Sequence, residues 1–264
     1  MDRETSTGTA GLRLLVAISG CEVYEVSGFQ QPMRDTWLKD AIALGIDYKF
    51  FHGRGGKERE DVVLVDCCDE YYDLTTKTKL KCRWAVDHGY DFIFLCFPDT
   101  YACPERLLTC GFEQYDYFGD LLYHANGEYC QGGQGYFLSK RAADYIASDP
   151  RNYPNEDCFV GDLMRERQDL KRGDSRYFYY AGIYPSGGPL ATNKVVSTHL
   201  STDTPDGYRP KYMYRRHDLW LASHGKATMP MEHVNDTLLD LPIVPIKPPE
   251  PNSPKRVLRT NRPM

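Results

Sequence analysis

Residues 92–99 read Phe-Ile-Phe-Leu-Cys-Phe-Pro-Asp, an apolar run that ends in one carboxylate. Its first six residues, bounded by turn residues, are typical of a buried strand. The preceding residues, Leu74 to His88, are good helix formers with an apolar side, and Gly89 supplies a helix stop. Helix followed by strand predicts one step of an alternating α/β fold.

The same alternation extends to both sides of this step. Strands are predicted over Leu12 to Ile18, Ile46 to Phe51 and Val62 to Val65, and a helix over Thr36 to Leu44 with Asp35 as its cap. Downstream, we expect a short helix from Pro104 and extended structure over Tyr115 to Tyr123. These are followed by a strand over Tyr136 to Leu138, a helix over Lys140 to Ala147 capped by Ser139, and a helix over Asp157 to Arg167. This order predicts an α/β fold with a mainly parallel, twisted sheet and helices on both faces.

Composition bounds the class of protein. The 264 residues are 41% hydrophobic and 26% charged, as in an ordinary folded protein. The net charge of −5 argues against broad adhesion to nucleic acid. We expect a flexible N-terminus over 1–11, a single domain over 12–240, and a proline-rich tail with a basic end over 241–264. No apolar run approaches membrane-spanning length and no signal peptide is evident, so a cytoplasmic protein is expected. Its nine cysteines are expected to be free thiols.

Common catalytic motifs do not match. Residues 53–57 contain a Gly-Lys pair after a strand, but Glu58 stands where a phosphate loop needs Ser or Thr, and Phe51 stands where its first glycine belongs. Zinc-protease, nucleophile-elbow and dinucleotide motifs are missing as well.

Other segments carry candidate chemistry. Asp99 follows a predicted strand, where ligands gather in open α/β sheets, although a turn residue is the ordinary interpretation. The glycines of residues 132–135 permit close approach of a ligand to the backbone, or turns with positive φ. Glu156 and Asp157 stand at a predicted helix start, where capping and general-base catalysis are both possible.

The order of these segments is specific. Met33-Arg34-Asp35-Thr36-Trp37 follows the first strand, and residues 69–78 read Asp-Glu-Tyr-Tyr-Asp-Leu-Thr-Thr-Lys-Thr with Trp84 beyond. Residues 129–139 read Tyr-Cys-Gln-Gly-Gly-Gln-Gly-Tyr-Phe-Leu-Ser, and residues 156–161 read Glu-Asp-Cys-Phe-Val-Gly. Together they resemble the family 31 glycosyltransferases, the β-1,3-galactosyltransferase and Fringe group, over roughly Leu12 to Leu200.

The resemblance implies a GT-A fold and an inverting enzyme that transfers a hexose of the galactose, glucose or GlcNAc type from a UDP-sugar to an acceptor hydroxyl. It implies a divalent cation, Mn²⁺ in preference to Mg²⁺, held by Asp99 and by His199 near the end of the domain. Relatives carry three consecutive aspartates where this chain has Phe97-Pro98-Asp99.

The resemblance also implies the remaining site residues. Asp157 is the predicted general base and Glu156 the second candidate. Gly132, Gly133 and Gly135 would form the floor under the donor sugar, and Ser19, Arg34 and Lys77 would lie near the nucleotide.

Two other functions stay open. One is a non-catalytic relative that binds a nucleotide or a glycan, motivated by Phe97-Pro98. The other is a transferase that modifies hydroxylated DNA bases, motivated by the basic and aromatic run from Arg209 to Trp220. An amphipathic helix with Tyr and Met packed inward is the favoured interpretation of that run, so a nucleic-acid partner is not favoured.

Overall fold

The computed structural model describes residues 11–124, 127–175, 177–180, 195–200 and 210–226. The strands are β1 (Leu14–Ser19), β2 (Asp47–His52), β3 (Val62–Leu64), β4 (Phe92–Cys96), β5 (Thr100–Ala102), β6 (Tyr117–Gly119), β7 (Leu121–His124), β8 (Gly127–Cys130), β9 (Tyr136–Ser139), β10 (Arg172–Asp174), β11 (Phe178–Tyr180) and β12 (Ser197–His199). The helices are α1 (Glu22–Val26), α2 (Gln31–Asp35), α3 (Trp37–Ala43), α4 (Leu74–Asp87), α5 (Pro104–Thr109), α6 (Lys140–Ser148), α7 (Glu156–Glu166) and α8 (Pro210–Ser223), with short 3₁₀ helices at Tyr71–Asp73 and Phe112–Gln114.

The central sheet has seven strands in the order β10-β6-β9-β4-β1-β2-β3. β1 is parallel to β2 and β4, β2 is parallel to β3, and β6 is parallel to β10. β9 is antiparallel to both of its neighbours, β4 and β6. The mostly parallel sheet confirms the predicted fold class. Because β9 runs against β4, the glycine-rich segment before β9 lies at the edge where β4 ends.

The core has one layer on each face of this sheet. Leu14, Val16 and Ile18 of β1 pack with side chains of α2, α3, α5 and α8. Leu15 and Ala17 point to the other face and pack with side chains of α4, α6 and α7. Alternation along a strand places successive side chains on opposite faces, and apolar residues at every position therefore bury both faces.

A smaller sheet joins distant parts of the chain. β12 lies between β11 and β5, parallel to the first and antiparallel to the second. Its register places His199 opposite Thr100, the residue after Asp99. β7 and β8 form a separate hairpin, and β8 lies beside α7. The β5–β12 pairing thus brings His199 to the end of β4.

The helix signals had mixed outcomes. Pro104 begins α5, and the Ser139 hydroxyl accepts a hydrogen bond from the Ala142 N–H (3.2 Å), so both predictions are confirmed. The prediction that Asp35 caps the next helix is wrong, because Thr36 is the residue before α3. Asp35 ends α2 and accepts a hydrogen bond from the Tyr214 hydroxyl of α8 (2.6 Å). The Asp35 carboxylate therefore bonds to a residue distant in sequence instead of capping the N-terminus of α3.

Helix α8 confirms the amphipathic interpretation of its segment, since Met213, Tyr214 and Trp220 are buried. All nine cysteines are free thiols, as predicted. No helix in the described segments is both long enough and apolar enough to cross a membrane. Residues 1–10 and 227–264 lie outside the described residues, so the flexible N-terminus, the tail and the domain bounds stay predictions.

Candidate active site

The side chains of Asp99 and His199 lie in contact. His199 Nε2 is 3.0 Å from Asp99 Oδ2, across 100 positions of sequence. The backbone fixes both residues: the Thr100 N–H donates to the Phe97 carbonyl (3.0 Å) in the turn after β4, and the Leu200 N–H donates to the Asp99 carbonyl (2.8 Å). The exposed fractions of the two side chains are 22% and 14%, so the pair is open to solvent on one side.

This pair fits two neighbouring positions of an octahedral cation. Two ligand atoms at about 2.1 Å from one ion and at right angles lie about 3.0 Å from each other. A carboxylate oxygen with an imidazole nitrogen suits Mn²⁺ better than Mg²⁺. Among the described residues, no group of three or more His, Cys, Asp or Glu side chains is gathered for a metal. A cation held here would complete its shell with oxygens of a bound ligand and of water.

The glycines of residues 132–135 form a turn against this pair. The Gly135 N–H donates to the Gly132 carbonyl (3.0 Å), and the Thr100 hydroxyl donates to the Gly133 carbonyl (2.9 Å). A Cβ at Gly133 would lie 2.4 Å from His199 Cε1, which is closer than atoms can approach. Gly135 has φ of +79°, a left-handed conformation that favours glycine. The turn therefore needs glycine at both positions, for space at Gly133 and for backbone conformation at Gly135.

Glu156 and Asp157 open α7, but they face different partners. Asp157 Oδ1 accepts a hydrogen bond from the Gly132 N–H (3.0 Å). Glu156 is buried and accepts from the Thr78 hydroxyl (3.2 Å) and from the Tyr136 hydroxyl. Both carboxylates lie near the glycine turn, since a Cβ at Gly132 would be 2.8 Å from Asp157 Oδ1 and 3.3 Å from Glu156 Oε2. The carboxylate that accepts the Gly132 N–H is that of Asp157, which is also the more exposed of the two.

The environment of Asp157 suits proton uptake. Burial raises the pKa of its carboxyl well above the ordinary value, and the negative charge of Glu156 raises that pKa further. The hydrogen bond from the Gly132 N–H acts in the opposite direction and lowers the pKa. A carboxylate with a raised pKa is a stronger base than a solvated one, which is the property a general base needs.

Two lysines of α4 reach the carboxyl end of β1. The Lys77 ammonium donates to the Gly20 carbonyl (2.8 Å) and pairs with the Asp69 carboxylate. The Lys81 ammonium donates to the Ser19 hydroxyl (2.6 Å), and burial lowers the pKa of Lys81. The structure thus brings the predicted residues Ser19 and Lys77 to the same edge of the sheet.

Arg34 is engaged elsewhere. Its guanidinium pairs with Glu25 (2.8 Å) and with Asp61 (2.6 Å), and lies over the ring of Phe50. The structure does not bring Arg34 into contact with Asp99 or His199. Its position beside a nucleotide stays a prediction.

Sequence reasoning missed three residues of this region: Thr78, Lys81 and Tyr136. Thr78 and Lys81 are three positions apart, so they share one face of α4, and Lys77 and Lys81 have the spacing of one helical turn. That spacing was the sequence signal that could have placed these α4 residues on one face of the helix. Lysines on helices are usually solvated, however, and their burial could be seen only in the fold.

Comparisons with known proteins bear on the fold alone. No family model matches the sequence, and no curated protein matches it. Among solved structures, a glycosyltransferase involved in the glycosylation of the major capsid of PBCV-1 is similar, with a TM-score of 0.50, 11% identity, and coverage of 76% of this chain and 98% of that one. A second match, A197 from STIV, has a TM-score of 0.37 and 12% identity, covering 62% of this chain and 82% of that chain. The chain has a mixed α/β fold, with a mostly parallel central sheet flanked by helices, and this fold is similar to that of the PBCV-1 glycosyltransferase.

Proposed function

We propose that this protein is an inverting glycosyltransferase that moves a hexose from a UDP-sugar to an acceptor hydroxyl. One observation supports it above the others: the predicted base and a predicted metal ligand contact adjacent residues of one turn. Gly132 contacts Asp157, and Gly133 packs against His199. Nucleophile activation and leaving-group stabilisation are both required in sugar transfer, so a site that combines them at short range suits that reaction.

The donor would bind at the edge formed by β1, β4 and the glycine turn. Asp99 and His199 would hold Mn²⁺, or Mg²⁺, and the bound ion would neutralise negative charge on the departing diphosphate. The ammonium group of Lys77, which pairs with Asp69, and that of Lys81 lie at the end of β1, near Ser19. Positive groups there suit the phosphates of a nucleotide.

Asp157 would take the proton from the acceptor hydroxyl as that oxygen attacks the anomeric carbon. The sugar–phosphate bond breaks on the opposite face, which inverts the configuration of that carbon. General-base assistance of this kind contributes about 10²–10⁴-fold. Glu156 would act through Asp157, since it is buried and its charge raises the pKa of that neighbour. The motifs quoted above support a β-1,3-galactosyltransferase-like enzyme of family 31.

A non-catalytic relative is the second candidate, and one observation favours it. A Cβ at Gly132 would lie 2.6 Å from Phe97 Cε2, so this ring packs on the turn where relatives place an aspartate. An apolar ring there supplies no charge for a cation. Such a protein would bind a nucleotide or a glycan without turnover.

Release of UDP from a panel of UDP-sugars, measured with Mn²⁺ and with chelator, tests the proposal. We expect metal-dependent hydrolysis of one donor that is lost in Asp99→Ala. Donor binding without turnover would favour the second candidate. Turnover that is changed neither by the chelator nor by Asp99→Ala would refute the metal role of Asp99.

A further inference from the structure

One face of the small sheet presents polar side chains to the glycine turn. Side chains two positions apart on a strand share a face, and so do residues that lie opposite each other in a ladder. Ser197 and His199 of β12 therefore share a face with Thr100 of β5, because His199 lies opposite Thr100. His199 packs on Gly133 from this face, with its Cε1 2.4 Å from the place of a Cβ on that glycine.

Two hydroxyls on this face hold consecutive carbonyls of the turn. The Thr100 hydroxyl donates to the Gly133 carbonyl (2.9 Å), and the Ser197 hydroxyl donates to the Gln134 carbonyl. Both Thr100 and Ser197 are fully buried. Carbonyls of an irregular segment that packs against the interior need such donors. Removal of either hydroxyl would leave one carbonyl of the turn without this partner.

The glycine turn also holds the predicted base. The Gly132 N–H donates to Asp157 Oδ1 (3.0 Å), and the Gly135 N–H closes the turn on the Gly132 carbonyl (3.0 Å). A displacement of the turn would therefore move the N–H that orients the Asp157 carboxylate.

The predicted metal ligands are held by different contacts. The Leu200 N–H donates to the Asp99 carbonyl (2.8 Å), and the pairing of β5 with β12 places His199 beside the end of β4. These are backbone contacts, so the loss of a side-chain hydroxyl leaves them in place. The two hydroxyls thus set where the glycine turn lies relative to Asp99 and His199.

We propose that Thr100 and Ser197 are positioning residues that fix the predicted base relative to the metal ligands. This inference rests on the proposed function, because it concerns the geometry of the same reaction. The groups that activate the nucleophile and stabilise the leaving group must be held in one arrangement, and a misplacement of about 1 Å can cost about 10²-fold in rate. Loss of either hydroxyl should therefore lower kcat and leave the affinity for UDP and Mn²⁺ near that of wild type.

Ser197→Ala is the sharper test, because the Thr100 hydroxyl also accepts from the Phe97 N–H (3.1 Å) in the turn that carries Asp99. We expect kcat for UDP release to fall about 10–100-fold in Ser197→Ala, with the Kd of UDP in the presence of Mn²⁺ within about twofold of wild type. Thr100→Val should show the same loss of rate, and Thr100→Ser, which keeps the hydroxyl, should restore it. Thr109→Val is the matched control, since the Thr109 hydroxyl donates to a carbonyl within α5 (2.8 Å).

Hydrogen–deuterium exchange of the protein without ligand measures the turn directly. We expect the amides of residues 131–135 to exchange faster in Ser197→Ala and Thr100→Val than in wild type, and to be unchanged in Thr109→Val. Unchanged exchange in both hydroxyl-free variants would overturn the inference. Equal losses of kcat and of UDP affinity would also overturn it, because a general loss of stability acts on both.

The same measurements separate this inference from the proposed function. If wild type releases UDP and the hydroxyl-free variants do so with the same kcat, only the positioning role is refuted. If wild type neither binds UDP nor releases it from any donor, the proposed function is refuted, and the positioning role is refuted with it.

Discussion

His199 Nε2 lies 3.0 Å from Asp99 Oδ2, and the antiparallel pairing of β12 with β5 sets this contact. Thr100, opposite His199 in that pairing, also donates from its hydroxyl to the Gly133 carbonyl (2.9 Å). One residue therefore connects the end of β4, the strand of His199 and the glycine turn. The site depends on this junction.

Asp157→Asn should lower sugar transfer by about 10²–10⁴-fold, because an amide cannot accept the acceptor proton. Donor affinity should stay unchanged, since asparagine keeps an Oδ1 that accepts from the Gly132 N–H. Initial rates at saturating donor, together with donor titration, measure the two effects. Asp162→Asn is the matched control on the same helix, and a comparable loss of rate in that variant would contradict the assignment.

Activity should increase with pH up to the raised pKa of Asp157, because only the ionised carboxylate can act as a base. Rate measurements across neutral pH check this, with kcat/KM reporting the free enzyme. A rate that falls over the same range would count against Asp157 as the base.

Stability should show the opposite dependence on pH. A carboxyl group whose pKa is higher in the folded state than its unfolded value, about 3.9, makes the folded protein bind the proton more tightly. The free energy of unfolding therefore decreases as pH rises from the unfolded pKa to the folded one. Asp157→Asn removes this pH-dependent contribution to the free energy of unfolding. The variant should therefore have a higher Tm than wild type at about pH 8, with a smaller difference at about pH 4. Calorimetric melting that shows a lower Tm for this variant at the higher pH would contradict the burial argument.

Gly133→Ala should weaken Mn²⁺ binding in the presence of UDP by about 10–100-fold, a range typical for loss of the groups that orient a metal ligand. The added methyl would lie 2.4 Å from His199 Cε1 and would displace the imidazole. Gly55→Ala is the control for an added methyl distant from His199, because its Cβ would meet nothing within 4 Å; its φ of +89° should lower the stability of that variant but not its Mn²⁺ affinity. Manganese binding followed by electron paramagnetic resonance measures both, and equal affinity of Gly133→Ala and wild type would refute the steric argument.

Local patterns predicted most of the fold. The apolar runs fixed the central strands to within a few residues, and Ser139 and Pro104 marked helix starts because their roles depend only on neighbouring residues. Asp35 failed as a cap because its partner, Tyr214, is distant in sequence. The five residues of α1 include no buried side chain, so the segment offered no apolar periodicity to detect.

Local sequence patterns predicted less of the candidate site than of the fold. Nothing near His199 in the sequence points to Asp99, and only the resemblance to a family suggested the pair. The reversed direction of β9 and the burial of Lys81 depend on how distant elements pack. The same holds for the different hydrogen bonds of Glu156 and Asp157, which join Glu156 to the Tyr136 hydroxyl and Asp157 to the Gly132 N–H.

We propose that Asp99 and His199 hold a cation that binds the donor diphosphate. Calorimetric titration with UDP, with Mn²⁺ and with chelator, tests it most directly in wild type, Asp99→Asn and His199→Ala. We predict that UDP binds wild type with Mn²⁺ and that chelation or either substitution weakens binding at least about tenfold. Equal UDP affinity in all of these samples would contradict a metal site at Asp99 and His199.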